Sequence, residues 1–130
     1  MESPAAPRVL LADPSADIVE RLAASIADVA CVVGRSTIAL DALHTVRHAR
    51  PQLAVFDIAI AHGVNLLRHI KNQRPNVIAV VLTHSVEDET RRLCKRMGAE
   101  FFLDKNAEFH RVREIVIAIG SVSDRFASDH

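Results

Sequence analysis

Four polar residues each stand directly behind a short apolar burst: Asp13 behind residues 9–12, Asp57 behind 53–56, Thr83 behind 77–82, and Lys105, with Asp104, behind 101–103. Two carboxylates, a hydroxyl and an ammonium make a set that suits phosphoryl transfer to an aspartate nucleophile. If Asp13 and Asp57 lie side by side, each stays ionised only with a cation beside it. Lys105 and a Mg²⁺ ion are the natural candidates, because Mg²⁺ takes one or two carboxylates and completes its shell with water and phosphate oxygens.

What must position these groups is a parallel sheet. The bursts at 9–12, 29–33, 53–56, 77–82 and 101–103 are rich in Val, Ile, Leu and Phe without polar alternation, as strands covered on both faces require. Between them apolar residues recur at helical spacing: Ile18, Leu22 and Ile26, then Ala39, Leu43 and Val46, then Leu66, Leu67 and Ile70. Leu93 with Met97, and Val112 with Val116 and Ile119, mark a fourth and a fifth helix. Pro51, Pro75 and Gly98 follow the second, third and fourth helices, and Ser36, Ser85 and Asn106 stand where N-caps are expected, Ser85 with Asp88 at capping-box spacing. Five βα units on short loops predict an α/β doubly wound (βα)5 sandwich with a flavodoxin-like, parallel five-stranded sheet of order 2-1-3-4-5. That order sets Asp13 and Asp57 on adjacent strands, with Thr83 and Lys105 approaching from the other side.

The chain of 130 residues, 49% of them hydrophobic, reads as an N-terminal extension at 1–7, one domain at 8–119 and a short tail at 120–130 that leaves no room for an output domain. Sixteen Lys and Arg balance sixteen Asp and Glu, so no net field favours nucleic acid. The longest apolar run, 77–82, is too short to cross a membrane, and the start lacks the pattern of a signal peptide, so a cytoplasmic chain is expected. Cys31 and Cys94 lack metal-type spacing and are expected to be reduced and buried.

From Arg8 to Ile119 the sequence resembles the receiver domain of bacterial two-component response regulators. Residues 51–58 (Pro-Gln-Leu-Ala-Val-Phe-Asp-Ile) are similar to the third-strand motif that ends in the phosphoacceptor, here Asp57. Residues 80–83 are similar to the fourth strand with its switch hydroxyl, Thr83, and residues 98–105 to the segment that carries the lysine, Lys105, with Phe102 in the place of a mobile aromatic. The resemblance implies that Asp57 takes a phosphoryl group from a histidine kinase, a histidine phosphotransfer protein or a small acyl phosphate. It implies Mg²⁺ held by Asp13, Asp57 and the backbone carbonyl of Ala59, with Lys105 paired to Asp57 or its phosphate. Thr83 and Phe102 would then move as a switch, reshaping the face of the fourth helix, fifth strand and fifth helix for a downstream protein partner or a homodimer. Such a protein is a phosphoacceptor that catalyses only its own phosphorylation and dephosphorylation, not an enzyme with a separate substrate.

The sequence also departs from that pattern. Receivers place two adjacent acids after the first strand, and here the pair reads Asp13-Pro14, which predicts weak Mg²⁺ binding. The alternative register, with Ala12 first and Asp13 second, shifts Ile18, Leu22 and Ile26 by one place from the family's apolar face. Asp17 reads as a first-turn carboxylate favoured by the helix dipole. Ala61 replaces the family's proline four residues beyond the acceptor, the loop before Leu66 is short, Ala59 offers no side chain to position water, and His84 either crowds the phosphate pocket or donates to it. Two functions stay open: a slow, phosphorylation-competent stand-alone receiver, and a phosphorylation-independent pseudo-receiver that binds a partner. Ordinary roles stand beside these, with Asp13 and Asp57 as loop carboxylates, Thr83 as a strand-end hydroxyl, Lys105 as a surface lysine and Phe102 as static core. A flavin- or nucleotide-binding enzyme on this sheet would need a glycine-rich loop after the first or third strand, where none stands. His44 and His48 read as surface histidines, and Arg91, Arg92, Lys95 and Arg96 make the fourth helix basic, either as a solvated or as a docking face.

Overall fold

The computed structural model describes residues 6–128, with side chains described as far as Ser121. Residues 1–5 of the expected extension and residues 129 and 130 of the tail lie outside the described residues. The chain alternates β1 (Arg8–Ala12), α1 (Ala16–Ile26), β2 (Cys31–Ser36), α2 (Ala39–Ala49), β3 (Leu53–Phe56), α3 (Gly63–Gln73), β4 (Ile78–Thr83), α4 (Asp88–Arg96), β5 (Phe101–Asp104) and α5 (Arg111–Ser128). All strand pairs are parallel and the order is β2-β1-β3-β4-β5, the flavodoxin-like arrangement that the apolar bursts imply.

Successive strand side chains point to opposite faces, and both faces here are apolar. Leu10, Phe56 and Val81 turn toward α2, α3 and α4, where Val46, Leu67, Ile70 and Cys94 complete one core. Val9, Leu11, Val55 and Leu82 turn the other way, toward α1 and α5, and meet Leu22, Ile26, Val112 and Val116. Each such side chain contributes about 1.5–3 kcal/mol on burial, and β3, buried at all positions, anchors both layers.

Several local expectations are corrected. β2 begins at Cys31 rather than at 29, because the N–H groups of Val29 and Ala30 are taken by the Ile26 carbonyl in the turn that closes α1. Cys31, expected in the core, is exposed at the start of an edge strand, whereas Cys94 is buried and its thiol is pushed up by that burial. Ser36 is used as the last residue of β2, and the N-cap of α2 is Ile38 without a side-chain bond. Glu87, not Ser85, precedes α4, since the Ser85 N–H is drawn to Thr83 Oγ1. Asn106 donates its N–H to Asp104 Oδ1 in a turn well before α5 begins. The cap that does form is Ser15, whose hydroxyl accepts the Ile18 N–H at 3.3 Å. α5 continues past residue 119, where the tail was set apart, to Ser128. Among the described residues no helix is long and apolar enough to cross a membrane.

Leu22, 1% exposed, is one of the fully buried contacts of α1. Leu22→Ala is expected to lower unfolding free energy by about 2–5 kcal/mol in urea titrations at unchanged m-value.

Candidate functional site

Strand register brings the four polar residues together. Ala12 pairs with Phe56, so Asp13 and Asp57 emerge one step later on neighbouring strands, and the Asp57 N–H donates to the Ala12 carbonyl at 3.2 Å. On the other side Thr83 pairs with Asp104, and the Lys105 N–H donates to the Thr83 carbonyl at 2.9 Å. From there the Lys105 ammonium reaches Asp13 Oδ2 at 2.6 Å and Asp57 Oδ2 at 2.5 Å. All four residues are buried, Lys105 the most open at 8% exposure.

Each carboxylate is held at both oxygens. Asp13 Oδ1 accepts the Ser15 N–H at 2.9 Å, and Asp57 Oδ1 accepts the Ala59 N–H at 2.8 Å. Burial pushes the Lys105 ammonium toward losing its proton, but the hydrogen bonds and charges of Asp13 and Asp57 outweigh it and hold its pKa above the ordinary lysine value. The cation required by two adjacent carboxylates is thus supplied by the chain itself. One positive and two negative charges leave the site with an excess negative charge, and its carboxylate oxygens are the hard donors that Mg²⁺ prefers. Pro14 stands exposed beside Asp13 and contributes no side-chain oxygen, and Asp17 is exposed on the first turn of α1. Among the described residues no three acid, histidine or cysteine side chains form a metal-binding group, and the exposed pair His44 and His48 simply stacks at 4.2 Å between ring centroids.

The loop that carries Ala59 is tight. Ile60 donates to the Asp57 carbonyl and Gly63 to the Ile60 carbonyl, while the Ile60 side chain is buried in the core. His62 takes a left-handed conformation at φ 62° to enter α3. At Gly63 a Cβ atom would lie 2.5 Å from the Ile58 carbonyl oxygen, so the shortened loop closes only because that residue has no side chain.

Thr83 is buried with its Oγ1 accepting the Ser85 N–H at 3.1 Å, and His84 beyond it is exposed. Phe102 is buried among the side chains of the α2, α3 and α4 layer. Sequence reasoning did not foresee what holds it. Arg91 of α4 lays its guanidinium 4.7 Å from the Phe102 ring centroid and donates to the Phe102 carbonyl at 3.4 Å. Glu108 was also missed: it accepts the Asp104 N–H at 3.0 Å and pairs with Arg111 at 2.8 Å, and those two partners hold its carboxyl below the usual range. The signal for Glu108 lay in its spacing from Asp104 and Arg111, which ties the turn after β5 to the start of α5.

The model of the response regulator receiver domain matches residues 9–117. No curated protein sequence matches. Among solved structures, the chain is similar to the signal receiver domain of NarL from Mycobacterium tuberculosis at 17% identity and a TM-score of 0.82, over 91% of this chain and 98% of that one. It is similar to the receiver domain of AraT from Geobacillus stearothermophilus at 23% identity and a TM-score of 0.79, over 93% and 98%. The response regulator domain of Thermotoga maritima CheB matches at 22% identity and a TM-score of 0.76, over 91% and 96%.

Two outcomes follow from the geometry. Lys105→Met leaves two buried carboxylates without their cation and is expected to cost about 3–5 kcal/mol in urea at pH 7. Because the folded-state pKa of Lys105 is raised, the stabilisation linked to its own titration is complete below the ordinary value of 10.5 and is lost as pH climbs through the higher folded value, so the gap between wild type and variant should narrow in that alkaline window. Gly63→Ala is expected to destabilise by about 1–3 kcal/mol and to shift the Ala59 amide resonance, since the loop must open to admit the methyl group.

Proposed function

We propose that this chain, which belongs to the response regulator receiver domain family, accepts a phosphoryl group on Asp57 from a histidine kinase or a histidine phosphotransfer protein and passes the signal on by protein contact. The observation that supports this most is the convergence of Asp13 and Asp57 on one buried ammonium at the carboxyl ends of β1 and β3, with the Thr83 hydroxyl at the end of β4. Asp57 follows the central strand, so it has a carboxylate on one side and a hydroxyl on the other.

In the transfer, an Asp57 carboxylate oxygen attacks phosphorus. The new O–P bond forms as the P–N bond of the phosphohistidine breaks, and that electron pair returns to the imidazole. Lys105 neutralises charge on Asp57 and on the incoming oxygens, and Thr83 supplies a hydroxyl donor once it leaves the Ser85 amide. Receiver domains bind Mg²⁺ at an acidic site, and here Asp13, Asp57 and the Ala59 carbonyl would hold it, supplying charge neutralisation at the phosphoryl oxygens. Ala12 is packed in the core while Asp13 faces the lysine, which favours the register that puts Pro14 in the place of the second acid and makes the Mg²⁺ site weak. The output surface in this reading is the α4-β5-α5 face, where Arg91 grips Phe102, open to a downstream protein or a second copy. The free thiols of Cys31 and Cys94 suit a reducing cytoplasm.

One observation favours a second reading, the phosphorylation-independent interaction module. Among the described residues no buried side-chain polar atom lacks a partner, so the pocket is satisfied without any ligand.

Intact mass after incubation with acetyl phosphate, with and without Mg²⁺, separates the two. The phosphoacceptor reading expects one phosphoryl adduct in wild type, dependent on Mg²⁺ and absent in Asp57→Ala; a partner affinity unchanged by Asp57→Ala, with no adduct, sinks it. Pro14→Asp is expected to tighten Mg²⁺ binding about tenfold in a calorimetric titration, and no gain would move the register to Ala12.

A further inference from the structure

The sheet is covered unevenly. Three helices pack on one face and two on the other, and among the described residues the two-helix face is left open at the amino ends of β4 and β5. Ile78 and Phe101, the first residues of β4 and β5, floor a groove of about 780 Å³ whose wall is Ile115, Ala118 and Ile119 of α5. That volume lies within the roughly 300–1,000 Å³ typical of small-molecule sites, as does a mainly apolar lining with a few polar groups at one end.

The polar end is formed by the α2–β3 and α3–β4 turns, which contribute Arg50, Gln52, Arg74 and Asn76. Among the described residues neither Arg50 nor Arg74 has a carboxylate within ion-pair distance. Among the described residues the Arg74 guanidinium donates only to the Arg47 carbonyl, at 3.3 Å, and Arg50 stands exposed at the left-handed end of α2. Arg111, higher on the wall, is already paired with Glu108, and Glu114 is the one carboxylate that lines the groove, a helical turn before Ala118. The lining is therefore segregated, with an apolar body and two unpaired guanidinium groups at one end.

We propose that this groove binds a small amphipathic carboxylate, its apolar part along Ile78, Phe101 and Ile115 and its carboxylate at Arg50 and Arg74. Guanidinium groups match a carboxylate in geometry as well as charge. The site is at the opposite end of the sheet from Asp57 and includes no residue of α4, so it is separate from the phosphoacceptor pocket, while it shares Phe101 and α5 with the α4-β5-α5 face. A ligand there would contact α5 and the starts of β4 and β5.

The test is an amide NMR titration with decanoate below its micelle concentration, beside acetate, which has the head without the chain, and decyltrimethylammonium, which has the chain with the opposite charge. Decanoate is expected to shift the amides of Arg50, Ile78, Phe101 and Ala118 saturably, acetate to shift none, and the cation to bind at least about tenfold more weakly. Arg74→Glu should weaken decanoate about tenfold with the spectrum still well dispersed, and Ala118→Trp, which places an indole in the groove, should remove saturable binding. The proposal fails if decanoate shifts are absent or scattered over the surface, if the cation binds equally well, or if decanoate ignores both substitutions.

Discussion

Two carboxylates at the ends of adjacent parallel strands repel one another, and the molecule resolves that repulsion with one ammonium. Lys105 lies two strands from Asp57 and three from Asp13, yet bonds to both, and β4 between them ends in the small side chain of Thr83. The bridge constrains much of the architecture. It needs β1, β3 and β5 to end at the same height, and it needs the turn after β5 to be held, which Glu108 does by accepting the Asp104 N–H. Burial alone would disfavour the ammonium, and the hydrogen bonds and charges of the two carboxylates more than offset it.

Pro14 changes the charge balance of this arrangement in two opposed ways. In the phosphoacceptor reading, a carboxylate there would be a further oxygen ligand for a divalent cation, and a proline would weaken that cation's hold. The same absence removes one negative charge from the path of a phosphoryl group that is itself anionic. At an effective dielectric of 20, two unit charges 4 Å apart interact by about 4 kcal/mol, which sets the scale on which one charge fewer matters. In that reading a site with one acid fewer would depend less on metal to admit phosphate and more on Lys105 to stabilise it afterwards.

The strand order and the four clustered residues were legible in the sequence because apolar bursts with polar residues directly behind them have few other arrangements. Asp13, Asp57, Thr83 and Lys105 are placed by register, and register follows from strands buried on both faces. Helix starts were not legible in the same way. Ser36, Ser85 and Asn106 are good capping residues by type, but each had its backbone claimed by something nearer: a strand, the Thr83 hydroxyl, the Asp104 carboxylate. Cys31 was misplaced because a small apolar residue at the edge of a sheet looks like one at its centre. Arg91 was read as one of four basic residues on a helix, and only the packing of α4 against β5 singles it out.

In the phosphoacceptor reading, that packing would give the site a route outward. The Thr83 hydroxyl now anchors the Ser85 amide, and with it the segment that leads into α4. If the hydroxyl turned instead toward a phosphoryl oxygen, this segment would lose its anchor, and beyond Val86, which packs on the core, the next contact with β5 is Arg91, in the second turn of α4. Arg91 touches Phe102 twice, through the ring face and through the backbone carbonyl, so α4 cannot shift without either dragging the ring or releasing it. A cation–π contact contributes about 0.5–2 kcal/mol, small enough to be broken by the formation of one charge-assisted hydrogen bond at the phosphate and large enough to hold the ring in its absence.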